Sequence, residues 1–181
     1  MSGSKFNVEP SLLREMLAYD PETGILRWRE RPPEHFHLPG WAAYWNRKHA
    51  GKIAGSPTGK FGHLIVGIRG RPRLVHRLIW AIVHDEYPEQ IDHINNNPAD
   101  NRLCNLRACD QAQNQHNQRA RKTNKSGFKG VSLHKTSGRW RAAIFINSKQ
   151  QHLGLFDSLE DAHKAYCEAA ARLHGEFANF G

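Results

Sequence analysis

Residues 90–117 read QIDHINNNPADNRLCNLRACDQAQNQHN, and they constrain the fold more than any other stretch of this chain. An Asp-His pair, Asp92 and His93, closes a short extended run. A loop rich in Asn, Asp and Pro spans Asn95 to Asn101, and the chain extends again through Asn105, Leu106 and Arg107. Asp110 is placed to N-cap a polar helix from about Gln111, because its carboxylate can accept the unpaired amide protons of the first turn. That helix carries Asn114, His116 and Asn117. Strand, loop, strand and helix would bring the start of the stretch against its end. A His, a carboxylate and Asn side chains would then share one small cleft, a set that suits one hard divalent cation and one general base. Taken singly, these residues are what turns and caps ordinarily use. Their joint spacing is what points to chemistry.

At these residues the chain resembles the HNH nuclease family, the ββα-metal endonucleases, and most closely the phage and intron-encoded homing type. The pattern DHIxxNxxDNRxxNLR is intact from Asp92 to Arg107. The resemblance implies that Asp92 and Asn114 ligate the metal, that His93 activates water, and that Asn105 holds the loop orienting His93. It implies one divalent cation, Mg2+ or Mn2+, as cofactor. Asn114 stands where the family usually has His; some homing members have Asn there, and His116, two residues on, is the alternative ligand.

Charge is laid out in blocks, which argues for modules rather than one uniform core. Residues 1–75 hold 12 Lys/Arg and 6 Asp/Glu, residues 76–117 hold 3 and 6, and residues 118–181 hold 11 and 5. An acidic centre between basic arms suits a metal site flanked by polyanion-binding surfaces. Three Cys, at 104, 109 and 167, make no paired framework. Cys104 and Cys109 lack a second pair for zinc, so reduced, mostly buried thiols in a reducing cytosol are expected. The start, MSGSKFNVEP, has no apolar signal run, and no transmembrane stretch follows. The reading is a cytoplasmic protein, in the bacterial host cytosol if phage-encoded, with no membrane partner and no small-molecule cofactor.

Ahead of the motif, residues 1–75 read as a small α+β region. A helix is expected over Pro10–Ala18, a turn at Tyr19–Gly24 and a strand at 25–29. Residues 31–50 look irregular, with strands at 52–54 and 63–68. Gly70-Arg71-Pro72 is a turn, and a helix follows from about His76 to His84. The residues Trp28, Trp41, Tyr44 and Trp45 are expected as core, with DNA contact the alternative. A structural hydrogen bond is expected of His76.

From Gln118 the composition changes, with nine Lys/Arg and no Asp/Glu over 118–156. Residues 118–126 read as a basic linker whose Arg119, Arg121, Lys122 and Lys125 would track phosphates. Strands are expected at 129–134, 139–146 and 151–156, with a turn at Asn147–Lys149. A helix should run from an N-cap at Ser158, with Asp161 at the capping-box position, to about His174. GFKGVS, GRWRAAI, HLGLFDSLEDAHKAY and ANF resemble the Apetala-type, or ethylene-response-factor-like, DNA-binding domain over about 50 residues. That resemblance implies a three-stranded sheet whose free face enters the major groove. Carried over by position, Lys129, His134, Arg139, Arg141 and His152 are the candidate DNA contacts. Ser132, Gln150 and His152 replace the usual Arg or Trp, so the family's target sequence does not carry over.

The reading is α+β and multi-module: an N-terminal α+β region (1–75), a ββα-metal HNH motif (76–117), a basic linker (118–126), and a three-stranded antiparallel sheet packed on one helix (127–181). Such a chain would be a metal-dependent, site-specific endonuclease on double-stranded DNA, of the homing type. Nicking and double-strand cutting are both open; a monomer is expected, with a dimer as the alternative. The rival reading is a non-catalytic DNA-binding regulator that keeps an inactive HNH scaffold.

Overall fold

The computed structural model describes residues 7–57, 62–120, 123–146 and 149–181. The chain divides into two compact units, Met1–Ala108 and Cys109–Gly181. The fold is mixed α and β, with small antiparallel sheets in both. The division falls inside the expected 76–117 module, before the last residue of its second strand and ahead of its helix.

In the first unit, α1 (Pro10–Met16) leads into a hairpin of β1 (Leu17–Asp20) and β2 (Ile25–Trp28). The helix stops two residues short of the expected Ala18, because Leu17 and Ala18 pair with Trp28 and Arg27 across the hairpin. The next stretch is not irregular throughout: α2 runs Trp41–His49. Its interior has no Pro or Gly and contains two Ala, good helix formers that the Pro-rich flanks conceal. Trp45 packs edge-on against Trp28 at 5.2 Å and tilted against Phe36 at 5.8 Å. Trp41 and Tyr44 instead face solvent at 58% and 50% exposure, so the expected Trp core holds only for Trp28 and Trp45. The strand expected at 52–54 is a single bridge, Arg27 to Ile53.

A second sheet, ordered β3 (Ser56–Pro57), β4 (Leu64–Ile68) and β5 (Arg71–Leu74), runs directly into α3 (Val75–His84). Pro72 lies within β5 rather than in the turn, opposite Gly67. Beyond α3, β6 (Gln90–His93) pairs with β7 (Leu106–Cys109). One core holds Leu13, Leu17, Leu26, Ile68, Val75, Leu78 and Ile79, and Ile91 and Leu106 join it from β6 and β7. Burial of Ile91 fixes β6, and with it the Asp-His pair that follows. Arg77 secures the approach, donating to the carbonyls of Pro88 at 2.9 Å and Glu89 at 3.3 Å.

In the second unit, α4 (Gln111–Asn117) begins at a capping box. Asp110 accepts from the Gln113 amide at 2.8 Å, and Gln113 accepts from the Asp110 amide at 2.9 Å. A three-stranded sheet follows, ordered β10 (Lys149–Phe156), β9 (Arg139–Ile146) and β8 (Val131–His134). Part of the expected turn at Asn147–Lys149, namely Asn147 and Ser148, lies outside the described residues. The last helix, α5 (Leu159–His174), is capped by Ser158 accepting from the Asp161 amide at 3.0 Å. Its Ala162, Tyr166, Ala169 and Ala170 are buried, with Val131, Ala142 and Ile144 of the sheet in the same two clusters. No described helix is long and apolar enough to cross a membrane. Cys109 is buried, Cys167 half-buried and Cys104 exposed, so the thiols are less buried than expected.

Gly130 sets the closest approach between sheet and helix. Its φ is +73°, and a Cβ there would sit 2.1 Å from Tyr166 Cδ2 and 2.8 Å from the Ala143 carbonyl oxygen. Gly130→Ala should therefore lower the stability of the second unit by about 2–4 kcal/mol, combining left-handed strain with overpacking. Urea-dependent hydrogen exchange at the amides of β9 and α5 measures this, and a loss below about 1 kcal/mol would show that Tyr166 gives way freely.

Candidate active site and nucleic-acid interface

Asp92 and His93 end β6 and are both buried, at 6% and 5% exposure. A buried carboxylate needs a partner. Here Arg107 of the neighbouring β7 supplies it: Nε and Nη2 donate to Asp92 Oδ2 at 2.9 and 2.7 Å. The ladder of β6 and β7 thus carries its own charge compensation.

Asn105 ties down the loop after His93. Its side-chain Oδ1 accepts from the Asn95 amide at 2.9 Å, and its Nδ2 donates to the Asp100 carbonyl at 2.8 Å. Its carbonyl also accepts from the Ile94 amide at 2.9 Å. Within the loop, Asn95 Oδ1 accepts from the Asn97 amide, and Asn97 Oδ1 from the Ala99 amide. These are Asx turns, the local bonds for which Asn is suited. Hydrogen bonds from Arg102 push the Asp100 carboxyl down to about 2.

Asn101 is the residue that meets His93. Its Nδ2 donates to the Ala99 carbonyl at 3.3 Å, which turns Oδ1 towards His93 Nε2 at 3.2 Å. An amide oxygen only accepts, so Nε2 carries the proton and Nδ1 the lone pair. Asn101 is held from behind by the first hairpin. Tyr19 Oη donates to its carbonyl at 3.0 Å. Gly24, with φ +72°, lies so close that a Cβ would come 2.5 Å from the Arg102 amide nitrogen.

Two further imidazoles surround His93. His76, second residue of α3, has its ring centroid 5.0 Å from that of His93, and His63, just before β4, lies 5.6 Å away. Burial, then the neighbouring His93 and His63, hold His76 down to about 3. His63 and His93 are also lowered, burial being the first cause in each. All three rings are neutral at pH 7. His76 Nδ1 is buried without a hydrogen-bond partner among the described residues, so the structural hydrogen bond expected of His76 is not made at that atom.

Asn114 and His116 belong to the second unit. Asn114 is half-buried on α4. The His116 ring stacks on His174 at 3.7 Å and 6°, and its carbonyl accepts from Lys129 Nζ at 2.5 Å. Asn179 Nδ2 donates to the Asn117 carbonyl at 2.8 Å. So α4 is bound to the sheet unit through its C-terminal turn. Lys129 is half-buried in that contact and lowered to about 8 by burial.

The sheet presents one face opposite α5. In register, His134 lies opposite Arg139, Ser132 opposite Arg141, and His152 opposite Ala143. Directly paired residues share a face, so His134, Arg139, Arg141 and His152 are gathered together. Arg139 makes an exposed ion pair with Asp157 at 2.8 Å, a contact of little energetic weight. Arg141 is half-buried with Nε unpartnered among the described residues. A cleft of about 800 Å³ separates part of this face from α4 and the segment after it, with Arg119 on its wall. Lys125 is exposed, and Arg121 and Lys122 lie outside the described residues.

Arg107, Asn101, Tyr19, Gly24 and His63 were given no role by sequence reasoning. Asn101 and Arg107 lie inside the quoted motif, so the pattern contained them. Tyr19 and Gly24 lie outside it and were read only as the ends of a turn, and His63 only as the start of a strand.

This geometry agrees with family membership. An HNH endonuclease family model matches residues 73–116, and an AP2 domain model matches residues 126–176. The chain belongs to the HNH endonuclease family and carries a C-terminal AP2 domain. It is similar to Protein 3.8 of Escherichia phage T7, 35% identical over 107 residues, covering 58% of this chain and 88% of that protein. Its C-terminal part is similar to APETALA2-like protein 2 of Oryza sativa subsp. indica, 46% identical over 52 residues, or 28% of this chain and 12% of the rice protein. It is also similar to the AP2-like ethylene-responsive transcription factor TOE2 of Arabidopsis thaliana, 35% identical over 57 residues, or 32% and 12%. The chain therefore spans about an eighth of each plant relative. No solved structure matches it.

The depressed His76 has a consequence for stability. Unfolded, it titrates near the usual ~6.5; folded, it titrates near 3. Between those values the unfolded chain binds the extra proton, so stability is full above about 6.5 and falls as pH drops. At pH 5 the loss from this residue should be about 2 kcal/mol. Comparing urea midpoints of wild type and His76→Gln at pH 7 and pH 5 isolates it. Equal pH slopes would remove His76 as the cause.

Proposed function

We propose that this protein is a metal-dependent, site-specific DNA endonuclease of the homing type, hydrolysing phosphodiester bonds at β6 and selecting its site with the AP2 sheet. The observation that carries this reading is the buried Asp92–His93 pair, with Arg107 on the acid, Asn101 on the base and Asn105 closing the loop between them. The donor set fits a hard divalent cation, Mg2+ or Mn2+. A carboxylate offers about four lone-pair sites, so Arg107 on Oδ2 does not exhaust Asp92. Asp92 and Asn114 would hold the ion. Between the two candidates on α4, the stacking of His116 on His174 favours Asn114. When bound, the cation supplies neutralisation of charge on the phosphate and the leaving oxygen.

The chain's own residues do the rest. His93 takes the proton of the attacking water at Nδ1. Asn101 holds the Nε2–H tautomer that leaves Nδ1 basic, and burial keeps the ring neutral and ready. Asn105 fixes the backbone from which His93 projects. Family resemblance implies 5′-phosphate and 3′-hydroxyl ends. The basic residues Arg119, Arg121, Lys122 and Lys125 would add phosphate contacts. The candidates His134, Arg139, Arg141 and His152 would face the groove, with Lys129 acting through its hold on α4.

A second reading has its own observations. Asn114 replaces the family's usual His, and a guanidinium already sits on Asp92, both of which suit a DNA-binding regulator on an inert scaffold. His93→Ala separates the two. It should cut cleavage of long DNA by about 10²–10⁴-fold and leave binding unchanged. Asp92→Ala should raise the Mg2+ needed for cleavage more than Asn114→Ala does, because a carboxylate is the stronger ligand for a hard cation. Wild-type cleavage by His93→Ala would move the chemistry elsewhere.

Site selection is testable on the sheet alone. Arg141→Ala should weaken binding to a selected site by about 1–3 kcal/mol if the side chain reads a base edge. Arg139→Ala should do the same, since Asp157 holds it only loosely. A loss equal on all sequences, with a salt slope smaller by about one, would assign either residue to phosphate contact instead.

A further inference from the structure

His63, His76 and His93 come from three separate elements: the lead-in to β4, the first turn of α3, and the end of β6. Each ring puts a nitrogen within 4.8 Å of a nitrogen of the other two. The third centroid pair, His63 to His76, is 5.2 Å apart. His76 is 5% exposed. Its Nδ1, and that of His63, are buried with no hydrogen-bond partner among the described residues. Leaving a buried polar atom unpaired ordinarily carries a desolvation penalty with nothing to offset it. Two such nitrogens in one three-histidine cluster are unfavourable as an end in themselves and well suited to donating to an ion.

We propose that His63, His76 and His93 form a second metal site, for a borderline divalent transition ion of the Zn2+ class, and that its occupation switches the nuclease off. The three donors are neutral imidazoles, which favour Zn2+, Ni2+, Co2+ or Cu2+ over Mg2+ or Mn2+. Asp92, the nearest carboxylate in sequence, is engaged by Arg107. Zinc–nitrogen bonds of about 2.0–2.1 Å place ligand atoms roughly 3.4 Å apart in a tetrahedron. The rings therefore close by up to about 1.4 Å on binding. His63 is half-buried and gives the ion its way in. Three histidines leave a fourth position for water.

Inhibition follows from one lone pair. A neutral imidazole has a single unprotonated nitrogen. An ion on His93 therefore takes the electron pair that would accept the proton of water. No bond to DNA changes, and removing the ion restores the base. The binding claim stands on the histidine geometry; the inhibition claim rests on His93 acting as general base.

The test uses the full, untagged chain, with Zn2+ and spectroscopically visible Co2+ as probes. One ion per chain should bind at micromolar concentration, with the visible bands of tetrahedral nitrogen-ligated Co2+. Affinity should fall more than ~100-fold in His63→Gln, beyond the loss expected for a residue that only orients a ligand, and should be unchanged in His37→Gln, an exposed histidine outside the cluster. In Mg2+-supported cleavage, micromolar Zn2+ should suppress wild type at least tenfold and His63→Gln far less. Should His76→Gln fail to fold by near-ultraviolet circular dichroism, the half-buried His63 decides alone. Absence of stoichiometric binding, or binding that His63→Gln leaves intact, overturns the site. Binding lost in His63→Gln, with no cleavage by wild type in any metal, upholds the site and sinks the nuclease reading instead.

Discussion

The first unit depends on one buried ion pair. Asp92 sits at the end of a four-residue strand, out of reach of bulk water, and Arg107 on the paired strand satisfies it twice through Oδ2. Breaking such a pair by removing one partner typically costs about 3–5 kcal/mol, because the remaining charge is stranded. The pair joins β6 to β7 next to His93, which follows Asp92 on β6. Everything added around it serves orientation: Asn105 closes the loop, Asn101 meets the imidazole, and Tyr19 and Gly24 back Asn101 from the first hairpin. The N-terminal hairpin is therefore part of the site's support and not only a lead-in.

Much of this was legible in the sequence, for physical reasons that differ by region. Strong local chemistry was readable: the Asp110 cap, the Ser158 cap, and the alternation in β9 that separates Arg139 and Arg141 from Trp140 and Ile144. Non-local chemistry was not. His63, His76 and His93 are far apart in sequence and meet only because β4, α3 and β6 pack on one core. Tyr19 reaches Asn101 across 82 positions, and no periodicity announces such a contact. The end of α1 was misplaced because Leu17 satisfies a helical stripe and a strand ladder equally well, and the ladder prevailed. The helix α2 was hidden by the prolines before it.

The second unit adds a point that charge alone did not reveal. By sequence α4 belongs to the HNH match, yet it is tied to the sheet unit by the His116–His174 stack, by Lys129 and by Asn179. The half-buried Lys129 spends its ammonium on a helix carbonyl. A chain cut after Lys125 would strip α4 of those partners, so substitutions on the sheet face are the better probe of site selection. The nine basic residues of 118–156 thus have unequal work: some face solvent and one holds two elements together.

Asp92 and His93 are proposed as a working hydrolytic centre. End-mapping of long phage and host DNA after incubation with the full chain in Mg2+, with an EDTA arm beside it, tests that centre most directly. Discrete ends bearing 5′-phosphate and 3′-hydroxyl groups are expected, present in Mg2+ and absent in EDTA. DNA that is bound tightly but stays intact in Mg2+ and in Mn2+ would contradict the proposal.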